Sequence, residues 1–174
     1  MSGETNPMRA LCVEKLVINI GVGQSGDPLA KAQKVLKMVT GQKSVLTRAH
    51  STNRDLGIRE GQEIGAKVTL RGQRATEFLQ KALGTRENQL SRTGIDRDGN
   101  VAFGIPDYTD FPGFKYDPAI GIFGMDICIE IGRKGGMSVK RRTRASHAIG
   151  KSAAIKAEET TEFLTRAFGV RFVE

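Results

Sequence analysis

The stretch Val13-Glu14-Lys15-Leu16-Val17-Ile18-Asn19-Ile20 alternates in character residue by residue. With a repeat of two, Leu16, Ile18 and Ile20 fall on one side and Lys15, Val17 and Asn19 on the other, which predicts a strand with one buried and one semi-polar face. The pattern returns in Ile64 to Arg71, where Ala66, Val68 and Leu70 alternate with Lys67, Thr69 and Arg71. It returns again where Met125, Ile127, Ile129 and Ile131 alternate with Asp126, Cys128 and Glu130. Shorter strands are expected at Lys43 to Ala49 and Val101 to Ile105, the second entered through the turn Asp96-Arg97-Asp98-Gly99-Asn100.

Helices are expected between the strands. Asp27 and Pro28 give an N-cap and first-position signal, followed by Leu29, Ala32, Val35, Leu36 and Val39 at helical spacing, with Gly41 as the stop. Ala75, Phe78, Leu79, Ala82 and Leu83 predict a second helix ended by Gly84, and Phe163, Leu164, Ala167 and Phe168 a third. His50 to Glu63 is polar and reads as a long hairpin loop or mobile arm, while Pro106 to Gly121 is aromatic and turn-rich. Residues 1–174 are too few for two comfortable domains. The expected fold is one α+β domain, a mainly antiparallel sheet with helices packed on one face and the other face left for a partner.

Charge suggests the nature of that partner. Lys and Arg number 27 against 19 acids, giving a net charge of +8 and a pI near 9.8, which favours a polyanion. A membrane surface is the weaker choice, since no apolar run approaches a bilayer span and the N-terminus carries no signal-peptide core. Cytoplasmic residence follows as an expectation. Cys12 and Cys128 are far apart, each beside apolar neighbours, and read as core thiols in a reducing compartment.

Gly21-Val22-Gly23-Gln24-Ser25-Gly26 matches the dinucleotide fingerprint G-x-G-x-x-G. The helix signal Asp27-Pro28 follows the last glycine, and no acid occurs between Asp27 and Asp55 to hold a ribose. A structural turn is the better reading, and no cofactor is expected. Asp96, Asp98 and Asn100 imitate the start of a calcium loop, but Val101 and Asp107 stand where glycine and glutamate are required. His50 and His147 lie in no nucleophile or acid–base arrangement, so an enzyme is not expected and no metal or catalytic residues are assigned.

From Gly132 through Ala157 there is no acid, while Arg133, Lys134, Lys140, Arg141, Arg142, Arg144, Lys151 and Lys156 accumulate. A one-sign cluster repels itself unless it meets phosphates, so this segment before the last helix is expected to contact a phosphate backbone, with a solvated charged loop as the alternative. Directional donors and acceptors could come from Lys15, Asn19, Lys67, Thr69 and Arg71 on the polar strand faces, although an ordinary solvated sheet face fits that pattern too.

Longer words point the same way. Val13 through Gly23, Thr40-Gly41-Gln42-Lys43, Ile58-Arg59-Glu60-Gly61 and Ile64 through Gly72 resemble, in order and spacing, the ribosomal protein L-five family. Asp98-Gly99-Asn100, Phe103-Gly104-Ile105 and Tyr116 through Asp126 extend the resemblance over nearly the whole chain. The short N-terminus and the tail from Gly132 to Arg142 look like the archaeal and eukaryotic branch, and more like its archaeal members. Lys134 stands where a proline is usual and Ser152-Ala153-Ala154 where the branch is often basic.

The resemblance implies a structural protein of the large ribosomal subunit that binds 5S rRNA and helps attach it in the central protuberance. Its implied partners are 5S rRNA, 23S-type rRNA, P-site tRNA, a small-subunit head protein across an intersubunit bridge, and other central-protuberance proteins. Carried over by position, the 5S rRNA recognition residues are Asn19, Gln42 and Thr69, to which strand alternation adds Lys15, Lys67 and Arg71. The loop 50–63 corresponds to the arm that reaches for tRNA, with Arg54 and Arg59 as its cations. The rivals are a generic nucleic-acid-binding chaperone and a nucleotide-binding oxidoreductase using the glycine loop.

Overall fold

The computed structural model of the chain describes residues 7–147, 149–150 and 153–173, with the backbone alone at Met137. The first six residues, Lys151 and Ser152, which bear on the readings of the N-terminus and the basic tail, lie outside the described residues.

Strand β1, Leu11–Gly21, is central. Leu16, Ile18 and Ile20 are at most 1% exposed, while Lys15, Val17 and Asn19 on the opposite face are half-buried. Helix α1, Asp27–Thr40, follows the glycine stretch, and burial of Leu29, Ala32, Val35 and Leu36 orients it against the sheet. Asp27 is not its cap. It is the first helical residue, and the cap is Gly26, whose φ of 102° few L side chains adopt. The Gly26 carbonyl accepts from the amides of Leu29 and Ala30 at 3.1 Å. Gly41, at φ 69°, stops the helix and donates to the Lys37 carbonyl.

Edge strand β2 (Val45–Arg48) and strand β3 (Glu63–Leu70) come next. Then α2, Gln73–Thr85, buries Ala75, Phe78, Leu79, Ala82 and Leu83. It runs through Gly84 and one residue beyond, and the chain then turns through Glu87 and Asn88 at positive φ. The short strand β4, Gln89–Ser91, precedes β5 (Val101–Ile105) and β6 (Met125–Arg133). Three elements close the fold: a short helix α3, Gly136–Arg141, within the basic segment, then α4, Ala157–Phe168, and β7, Arg171–Val173.

The main sheet has the order β2-β3-β1-β6-β5, and every neighbouring pair is antiparallel. Because β1 and β2 are both antiparallel to the β3 between them, α1 crosses over a strand. A dinucleotide fold would instead pair the strand after its first helix directly and in parallel with β1. The glycine stretch is therefore the turn between β1 and a crossover helix.

Helix α1 packs on β3 and α2 on β1, and both cover the same face. From the strands Leu16, Ile18, Ile20, Val68, Leu70, Ile127, Ile129 and Ile131 join one continuous core. Each such side chain contributes about 1.5–3 kcal/mol on burial. A second, two-stranded sheet pairs β4 with β7 in parallel, Leu90 opposite Phe172.

Candidate nucleic-acid interface

The sheet face away from the helices carries side chains in rows set by strand register. One row reads Val45, Lys67, Asn19, Asp126 and Gly104, from β2 to β5. The next reads Thr69, Val17, Cys128 and Ala102. Strands lie about 4.8 Å apart, so Lys67 and Thr69 both reach the ground above Asn19 and Val17. Lys67, Thr69 and Arg71 are exposed, Arg71 just past the end of β3.

Gln42 lies outside the strands, in the link from α1 to β2. Its amide donates to Thr40 Oγ1 at 3.2 Å, and that hydroxyl donates to the Leu36 carbonyl, so the link is fixed to the helix end. Since β2 runs antiparallel to β3 with Val45 opposite Lys67, stepping back towards Gln42 leads past Thr69. Asn19 and Thr69 thus share the open face, and Gln42 lies in the link that enters β2 beyond Thr69.

Lys15 is held differently. Its ammonium meets Glu130 at 2.5 Å, and Lys140 approaches the same carboxylate at 3.6 Å. Burial alone would raise the Glu130 pKa, but the two lysines outweigh it and hold the group below its ordinary value. Cys128 is not a core thiol. It lies exposed on the open face, because the strand repeat puts its apolar sequence neighbours Ile127 and Ile129 on the other side. Cys12 is half-buried, its thiol directed at the Gly132 carbonyl. Burial pushes both thiols up, with Glu14 adding to the effect at Cys12 and Asp126 at Cys128, so both stay protonated near neutrality.

Residues 50–63 form an internally bonded hairpin. Asn53 and Ile58 exchange backbone hydrogen bonds at 2.9 Å, and Asn53 Oδ1 accepts from the amides of Asp55 and Leu56. Thr52 Oγ1 accepts from Glu60, and Gln62 Oε1 from Arg59. Arg54, Arg59 and the tip residue Leu56 all face solvent.

In the basic segment Lys134, Lys140, Arg141, Arg142 and Arg144 are exposed. Arg133 stands apart. Its guanidinium donates to the carbonyls of Arg9 (2.8 Å) and Ala153 (3.3 Å) and to Glu159 Oε2 (2.7 Å). Its donors serve the protein's own structure. Asp126, exposed opposite Asn19, joins the open face without being singled out in the sequence reading, though the alternation that places Asn19 on the polar side of its strand does the same for Asp126.

Comparison with known proteins adds a second line of evidence. A model for the C-terminal part of the ribosomal L5 family matches residues 63–172, and one described as Ribosomal protein L5 matches residues 6–59. The chain belongs to the ribosomal protein L5 family. Its relatives within the L5 family include three archaeal proteins named large ribosomal subunit protein uL5. That of Thermoplasma acidophilum is 49% identical, over 97% of this chain and 99% of the relative. The Sulfurisphaera tokodaii protein is 45% identical, over 97% and 96%, and the Archaeoglobus fulgidus protein 46% identical, over 94% and 90%. The chain is accordingly an archaeal-type L5 protein, a structural ribosomal component that works in the cytoplasm with the ribosome. Among the described residues no helix is long and apolar enough to cross a membrane.

Proposed function

We propose that this protein is a mould for 5S rRNA in the large subunit, helping to attach it in the central protuberance. The observation that carries this reading is the uncovered sheet face on which Asn19 stands opposite Lys67 and diagonally from Thr69. Asn19, Gln42 and Thr69 supply directional donors and acceptors for an RNA loop, and Lys67 and Arg71 supply charge beside them. Lys15 takes part through Glu130, which fixes its position and partly neutralises it.

Lys134, Lys140, Arg141, Arg142 and Arg144 anchor RNA backbone of 5S or 23S type, while Arg133 keeps the segment attached to the body. Arg54 and Arg59 on the 50–63 hairpin meet phosphates of P-site tRNA, and neighbouring surfaces meet the small-subunit head and other proteins of the protuberance. No bond is made or broken.

The test is a titration with 5S rRNA at two salt concentrations against excess tRNA and duplex DNA. Survival of 5S rRNA binding under competition supports the reading, and the salt slope then counts phosphate contacts. Equal competition by all three polyanions would leave charge alone at work, as in a generic nucleic-acid chaperone.

A further inference from the structure

Two carboxylates, Asp126 and Glu130, point from β6 to the open face, and they are in opposite situations. Glu130 is neutralised by Lys15 and Lys140. Asp126 is exposed and makes no ion pair or side-chain hydrogen bond among the described residues. Its partner across the ladder on β5 is Gly104, where even a methyl group would sit 3.5 Å from Asp126 Oδ1. A longer side chain there would lie over the carboxylate. The glycine puts no side chain over it, while the Arg86 Nε donates to the Gly104 carbonyl at 3.0 Å on the same edge strand.

On its other side Asp126 stands opposite Asn19, and Asn19 opposite Lys67. The row therefore runs from a donor, through a group that both donates and accepts, to a pure acceptor. An unneutralised carboxylate repels phosphate, so the RNA backbone is kept off this end of the row. What RNA can offer it is the N–H groups of a base edge. Guanine presents two adjacent donors on its Watson–Crick edge, N1–H and N2–H, matched to the two oxygens of a carboxylate. Adenine, cytosine and uracil present only one donor group on that edge.

We propose that Asp126 selects a guanine, its carboxylate accepting N1–H and N2–H of an unstacked base while Asn19 and Lys67 face the acceptors beside it. This rests on the reading that the open face holds 5S rRNA. A cationic protein segment is the competing occupant. It is less favoured because Lys67 adjoins the same row.

The experiment uses the full chain and 5S rRNA sparsely substituted with inosine, which lacks the guanine 2-amino group. Bound and unbound RNA are separated and the substituted positions compared. With the native protein, inosine at one or a few positions should be depleted from the bound fraction. With Asp126→Ala, binding should weaken about 5- to 100-fold and that depletion should vanish while other positions keep theirs. Gly104→Val, which keeps the charge but covers it, should erase the same depletion. An identical inosine pattern for native protein and Asp126→Ala overturns the proposal. So does tighter RNA binding on removing Asp126, which would mark it as a group that only repels phosphate. Loss of 5S rRNA preference in the native protein would instead sink the underlying reading, and this proposal with it.

Discussion

The Arg133 guanidinium and the Glu159 carboxylate meet at 2.7 Å, joining the end of β6 to the first turn of α4. The same guanidinium reaches the carbonyls of Arg9 and Ala153, so one side chain ties together segments more than a hundred residues apart. Arg133→Ala is expected to cost about 1–2 kcal/mol in urea unfolding, the more exposed Glu159 contact contributing least. Arg133→Lys should recover little of this, since an ammonium lacks the planar fork that serves three acceptors. The salt slope of RNA binding should stay unchanged in both variants. A fall of about one unit would return Arg133 to the phosphate contacts.

Glu130 makes stability depend on pH in a stated direction. Its carboxyl titrates below the ordinary value of 4.5 in the folded protein. A depressed carboxylate stabilises the fold above its unfolded pKa, and that contribution is lost as pH falls through the folded value. Urea unfolding of native protein and Glu130→Gln should therefore differ at about pH 7, and the difference should shrink as pH falls through the folded-state pKa of Glu130. A difference that persists in acid would show that the variant acts through packing.

Gly99 turns the chain into β5 at φ 77°, and its carbonyl accepts from the buried Thr160 hydroxyl at 2.9 Å. An added Cβ would lie 2.7 Å from that hydroxyl and 2.9 Å from Ile155 Cγ2. Gly99→Ala should destabilise by about 2–4 kcal/mol, combining backbone strain with displacement of Ile155 and Thr160. Gly57→Ala, also at positive φ but with open space around it, isolates the strain alone and should cost about 1 kcal/mol. Thermal unfolding of the two variants compares them directly.

Arg141, Arg142 and Arg144 are exposed. Changing all three to Gln should leave folding stability within about 0.5 kcal/mol and lower the salt slope of 5S rRNA binding by about two to three. Arg54→Gln with Arg59→Gln should leave 5S rRNA binding intact and weaken tRNA contact in assembled ribosomes. Asn19, Gln42 and Thr69 changed together to Ala should erase preference for 5S rRNA with little loss of nonspecific affinity. Uniform weakening would remove those three from the recognition set.

The faces of the sheet are legible in the sequence because a period of two is a local property. Leu16, Ile18 and Ile20 separate from Lys15 and Asn19 whatever β1 pairs with. Strand order is not legible, since nothing near β1 announces that it will be flanked by β6. Cys128 is misread when its sequence neighbours are weighed where the pleat decides. Arg133 looks like its neighbours in a cationic run, since sequence shows charge and hides the acceptors that consume it. α3, β4 and β7 span six or fewer residues each and exist through their tertiary partners, so no periodicity marks them. Gln42 lies in a link with no repeat, and only family resemblance points to it. Asn19 and Thr69 are readable by both routes.

The central position of β1 also has a consequence in time. Its β6 partner is synthesised only after roughly 100 further residues, which at about 5–20 residues per second leaves that edge waiting roughly 5–20 s. Throughout that interval a growing chain displays an unpaired ladder beside Leu16, Ile18 and Ile20, a template for sticking to its neighbours. Any chain that offers a strand in that interval competes with β6 for the same edge.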